Sequence, residues 1–277
     1  MFSSKPRHSE SFSSRYGAGK STRPSKRSFK EPSSNVSLQR AVSGRSPSSF
    51  KSHKSPPVGS SAGSTLTSAI ITICVGPEQR LFAGHEDILS RSPYFEAACR
   101  NQFYDSSSRR INLPDEVPEV LSAILEYLYK GDYQPVLLHN KAKDTWELDG
   151  SANGEDTICH HAVKQPILKD TAVYCAASRY SLPELQRIAL RKQGLRCNVQ
   201  ISTILASARW AYEHTPDNDP KLRAHYLSLI IRSRATFSRS GNMRMEMEKG
   251  GLIFFDLFVA MCSHMDDLQT LRSPYRR

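Results

Sequence analysis

The stretch "DEVPEVLSAILEYLYKG", residues 115–131, constrains this chain more than any other. Val117, Val120, Leu121, Ile124 and Leu128 recur at i, i+3, i+4, i+7 and i+11, the spacing that puts five apolar side chains on one face of a helix. Pro118 falls in the first turn and Gly131 just past the last, so both ends are marked. A helix with one apolar stripe must bury it against another layer. The nearest candidates lie upstream. "AIITICVG" (69–76) is β-branched and apolar and stops at Gly-Pro, and "QRLFAGH" (79–85) can pair with it antiparallel across that turn. "RRINL" reads as a further short strand.

Between these strands, "HEDILSRS" and "PYFEAACRNQF" read as two short helices, with Ser92 capping the second and Pro93 in its first turn. After the long helix the periodicity fails. Residues 139–163, rich in turn formers, read as an exposed insertion. "PILKDTAVYCAASRYSLPELQRIALRKQGLRC" then reads as two helices split at Ser181-Leu182-Pro183. "VQISTILASARWAYEH" and "PKLRAHYLSLIIRSRA" follow as a pair, and "GLIFFDLFVAMCSHMDDLQTLR" as one more apolar helix packed on that pair. The apolar run of that last helix is too short to span a bilayer and contains Asp256. The fold class is α+β, a small mixed sheet flanked by helices, with a helical extension. The expected organisation is a tail over 1–64, a domain over 65–198 and the extension over 199–277.

The tail differs from the rest in kind. Residues 1–64 hold twelve lysines and arginines against two acids, a balance of +10 out of the chain's +11, which leaves +1 for the other 213 residues. The tail is also Ser-rich and poor in large apolar side chains. It cannot bury enough surface to offset the entropy of ordering, so disorder is expected. A nucleic-acid-binding core would need its own basic face, and the balance offers none there. "GKST" (19–22) ends like a phosphate-binding loop, but Ser14 stands where the motif needs glycine, no strand precedes it, and Pro24 and Pro32 oppose the following helix. Ser46 and Ser55, each before a proline, and Ser43, three residues after Arg40, have the form of kinase sites. Each phosphate would subtract roughly 1.5 to 2 charges. Lys26-Arg27 has the form of a short nuclear import signal.

Little suggests catalysis. The six cysteines have no C-x-x-C spacing, and buried thiols in a reducing, intracellular compartment are the expectation. No h-region follows Met1. Cys159-His160-His161 lacks a nearby fourth ligand, so no metal site is expected. Asp266-Asp267 are neighbours that face apart on a helix. No cofactor or small-molecule substrate is implied.

Several motifs together resemble a BTB/POZ domain, in the form common in fungal proteins. His85, Leu89, Ser92, Pro93, Tyr94 and Phe95 match the family's first signature. Leu113-Pro114-Asp115 and Leu125 to Gly131, with Tyr127 and Tyr129, match its second. "YCAASRYSLPELQRIAL" is similar to the helix pair that closes the fold, and "ILASARWAYEHTPDNDPKLR" to the helices that follow it in those fungal members, so that the likeness covers roughly 66–236. The resemblance implies a non-catalytic protein-interaction module, with His85 as a fold-stabilising residue. Members dimerise, bind cullins as ubiquitin-ligase adaptors, or recruit co-repressors. Ala69 and Glu86 depart from the co-repressor pattern. Phe103-Tyr104-Asp105 stand where cullin-binding members carry a hydrophobic–x–Glu motif, with the carboxylate one methylene shorter. "SPPVGSSAGSTLTS" supplies no apolar helix before the first strand, so the usual homodimer is not expected and residues 65–277 should be mainly monomeric. A dimer would instead point to Phe254, Phe255 and Phe258. The partners implied are other proteins, a cullin among them. The alternative is a regulatory protein that associates with nucleic acid or membrane through its basic tail.

Overall fold

The computed structural model describes residues 68–100, 109–142, 144–149, 156–160 and 163–272. Strand β1 (Ile70–Val75) lies at the centre of a three-stranded sheet in the order β2-β1-β3. β2 (Arg80–His85) pairs with it antiparallel, Ile73 opposite Phe82. β3 (Arg110–Leu113) pairs with it in parallel, Ile73 beside Ile111. The turn between β1 and β2 needs Gly76. Its φ is +72°, and a Cβ there would stand 3.3 Å from the Glu116 carbonyl oxygen.

The parallel pairing of β1 with β3 requires a crossover. Helices α1 (Glu86–Leu89) and α2 (Pro93–Arg100) lie on it. α1 sits so close to β2 that a Cβ on Gly84 would be 3.1 Å from the Leu89 side chain. α3 (Pro118–Lys130) closes the core with the expected face: Val117, Val120, Leu121, Ile124 and Leu128 are all buried, alongside Ile71, Ile73, Val75 and Phe95. Gly131 ends α3 at φ +82°, its N–H donating to the Tyr127 carbonyl at 2.7 Å.

The described part of residues 139–163, expected as an exposed insertion, includes short strands. β4 (Leu137–Asn140) and β5 (Thr145–Leu148) form one antiparallel ladder, and β6 (Thr157–Cys159) with β7 (Pro166–Leu168) another. The strands are too short for a period to stand out, yet they carry the β-branched and aromatic residues that suit a pleated surface. The stretch is not exposed throughout. Trp146 is partly exposed, whereas Ile158 and His160 are buried.

The β4–β5 arm is held by charge. Trp146 stacks on His139 with centroids 4.5 Å apart and carries the Arg191 guanidinium over its ring. At its base, Lys192 is fully buried and pairs with Asp132, while Asp170 accepts from the Tyr133 hydroxyl and from Arg196, each at 2.7 Å. Burial pulls the Lys192 ammonium below its ordinary value.

α4 (Lys169–Arg179) is buried along most of its length and packs on α5 (Pro183–Leu195). The turn between them places Ser181 at φ +56°. α6 (Ile201–His214) and α7 (Lys221–Arg232) form the next pair. The short α8 (Arg234–Phe237) and α9 (Gly241–Glu248) follow, then α10 (Leu252–Arg272), which packs on α6 and α7 as expected. Leu205, Leu227, Ile230, Ile231, Phe237, Met243, Leu257 and Ala260 make this second apolar cluster.

Of the six cysteines, all free thiols, only Cys74 and Cys175 are buried. Cys159 and Cys197 are exposed, the first at the end of β6 and the second two residues beyond α5. Burial pushes the Cys175 thiol up to about 12.

Candidate functional site

Four of the signature residues, Ser92, Pro93, Tyr94 and Phe95, lie where α2 begins against the end of α4. Ser92 caps α2: its carbonyl accepts from Glu96 N–H at 2.9 Å and its hydroxyl from Phe95 N–H at 3.4 Å. The same hydroxyl donates to the Tyr180 carbonyl at 2.8 Å. One small side chain therefore starts a helix and ties it to the end of α4. Pro93 occupies the first helical position, where its missing N–H costs nothing. Phe95 is buried and stacks on the Tyr180 ring at 4.9 Å. Tyr94, one residue earlier and 40% exposed, meets the same ring edge-on at 4.9 Å.

Glu116 completes the junction. It is buried, and one of its oxygens accepts from both the Tyr180 hydroxyl, at 2.6 Å, and Arg179, at 2.8 Å. The other accepts from Val117 N–H at 3.1 Å. Burial and the Glu116 carboxylate hold the Tyr180 phenol far above its ordinary value. Sequence reasoning passed over Glu116 in favour of Asp115. Two adjacent acids look alike on the page, and only the return of α4 picks out which one is buried. Tyr94, Leu113, Pro114, Glu116, Arg179 and Tyr180 line a cleft of about 270 Å³ here.

On the far side, His85 is half-buried and bound twice by Tyr129, whose hydroxyl lies 2.6 Å from its Nδ1 and accepts from its backbone N–H at 2.9 Å. Tyr127 is half-buried against the main core. Burial raises its phenol, with a smaller contribution from Glu184. His85, Ser92 and Glu116 thus have their polar atoms engaged in holding elements together. The cleft offers an aromatic face, the Glu116 carboxylate and the Arg179 guanidinium paired with it.

Phe103, Tyr104 and Asp105 lie outside the described residues, in the segment that links α2 to β3, as do Ser43, Ser46, Ser55, the "GKST" stretch and His161. His160 packs its ring on Trp210 at 4.2 Å, and Trp210 stacks on His214 at 3.5 Å. Among the described residues no group of three or more His, Cys, Asp or Glu side chains is placed to hold a metal ion. Among them, too, no helix is long and apolar enough to cross a membrane.

Residues 70–146 match the family model of the BTB/POZ domain. No curated protein matches the chain.

Proposed function

We propose that this chain, whose residues 70–146 form a BTB/POZ domain, uses that domain as a non-catalytic adaptor that docks a cullin-type helical protein. The BTB/POZ domain is a protein-interaction module. The observation that carries the finer reading is the surface beside α2: an exposed Tyr94 over an open cleft, on the helix whose C-terminal end, Arg100, leads directly into Phe103-Tyr104-Asp105. Aromatic anchors dominate interface energies, and a carboxylate that accepts a charge-assisted hydrogen bond fixes orientation.

Calorimetric titration of the full chain with a cullin N-terminal domain tests this. Wild type is expected to release or absorb measurable heat, and Phe103→Ala to lose about 2 kcal/mol of binding. Asp105→Glu, which lengthens the acid by one methylene, holds or improves affinity. No heat with wild type, or no loss with Phe103→Ala, contradicts the reading.

A second reading rests on charge. The tail's twelve bases against two acids suit the phosphates of nucleic acid or an anionic membrane surface. Deleting residues 1–64 separates the two: an adaptor keeps its partner, and an electrostatic binder loses it.

A further inference from the structure

α10 is apolar on two sides. Its inner face, Ile253, Leu257 and Ala260, is buried against α6 and α7. Its outer face carries Leu252, Phe255, Phe258, Met261, Met265 and Leu268, and the two phenylalanines are each 65% exposed. From Phe255 onward the spacing is 3, 3, 4 and 3, which keeps these side chains in one stripe along the helix. A helix that is hydrophobic all round is normally enclosed. Taking about 200 Å² for each fully exposed side chain, the stripe leaves roughly 630 Å² of apolar surface open, at the upper edge of the 300–600 Å² of the largest patch on a typical monomer.

We infer that the outer face of α10 is covered by α10 of a second copy of this chain, running antiparallel across a two-fold axis near Phe258 and Met261. Two observations favour a second copy over an unrelated partner. The stripe has large apolar groups on both sides of its midpoint, so reversal sets Leu252 and Phe255 against Met265 and Leu268, as an isologous contact requires. The open area per copy reaches about four-fifths of the roughly 800 Å² per partner of a standard stable interface. This surface owes nothing to the residues before β1, whose lack of an apolar helix argues only against the usual homodimer.

Sedimentation equilibrium of the full chain from about 1 to 100 μM tests the inference through mass action. Wild type is expected to approach twice the chain mass. The double variant Phe255→Glu, Phe258→Glu is expected to stay at the chain mass with an unchanged circular dichroism spectrum. Met265→Glu, farther from the axis, weakens association at least tenfold and serves where the double variant loses its helical signal. A wild-type monomer throughout the range overturns the inference, whether the face stays bare or the chain's own tail covers it. A dimer that survives both the double variant and Met265→Glu overturns it too, because its contact must then lie elsewhere.

Discussion

α3 and α10 are both rich in large apolar residues, yet the fold uses them differently. α3 concentrates Val120, Leu121, Ile124 and Leu128 in one stripe, and all four are buried. Glu119 and Glu126 occupy other faces, and Pro118 and Gly131 fix the ends. α10 spreads its apolar residues around the helix, so burying Leu257 leaves Phe258 in solvent. Apolar content makes a helix adhesive, whereas its arrangement decides how much of that surface one domain can cover. What α3 contributes is spent inside the molecule. Half of what α10 offers is left for an encounter.

That contrast predicts unequal responses to the same kind of truncation. Leu121→Ala removes a fully buried side chain from the junction of α3 and the sheet, and should cost about 3 kcal/mol of unfolding free energy in urea. Phe258→Ala, a larger deletion, should change the stability of the monomer by only about 0.5 kcal/mol. Comparable losses would erase the distinction.

Gly84→Ala probes how tightly α1 is held to the sheet beneath α3. The new methyl meets the Leu89 side chain at 3.1 Å, and overpacking of this kind should cost about 1–2 kcal/mol. No change in the urea midpoint would mean that α1 yields. Ser92→Ala deletes the cap of α2 and the link to Tyr180, for about 1 kcal/mol, while Ser92→Thr should recover part of it.

A further effect, absent at neutral pH, lies on the α10 side, in α7. Burial, helped by the nearby Arg232, depresses His225 from 6.5 to about 4. Between those values the unfolded chain binds a proton that the folded one refuses, so this residue makes stability fall as pH drops from 6.5 towards 4. His225→Gln should flatten that part of the pH profile of the melting temperature. An identical profile would show that His225 is not the group responsible.

What could be read from the sequence followed the same division. α3 was legible because its period and its terminal signals agree. Ser92 was legible as a cap because Pro93 follows it. α9 was not, since Met243, Met245 and Met247 alternate at a spacing of two inside a helix, and only Met243 reaches the core. The β4–β5 and β6–β7 ladders were hidden by their length. Glu116 was hidden by Asp115 beside it, and the Asp132–Lys192 and Asp170–Arg196 pairs by partners about 60 and 26 residues away along the chain. α10 was recognisable as a helix packed on α6 and α7. Its outward face was not legible, because a helix apolar on two sides gives no single stripe from which to choose the inner one.

The claim that the outer face of α10 is surplus to the monomer and used between copies is tested most directly by the concentration dependence of melting. A chain that unfolds from a dimer melts higher as its concentration rises. The account predicts that the melting temperature of wild type climbs by several degrees between about 1 and 100 μM, with the Phe255→Glu, Phe258→Glu variant flat at the lower value. A wild-type melting temperature that does not move with concentration would contradict it.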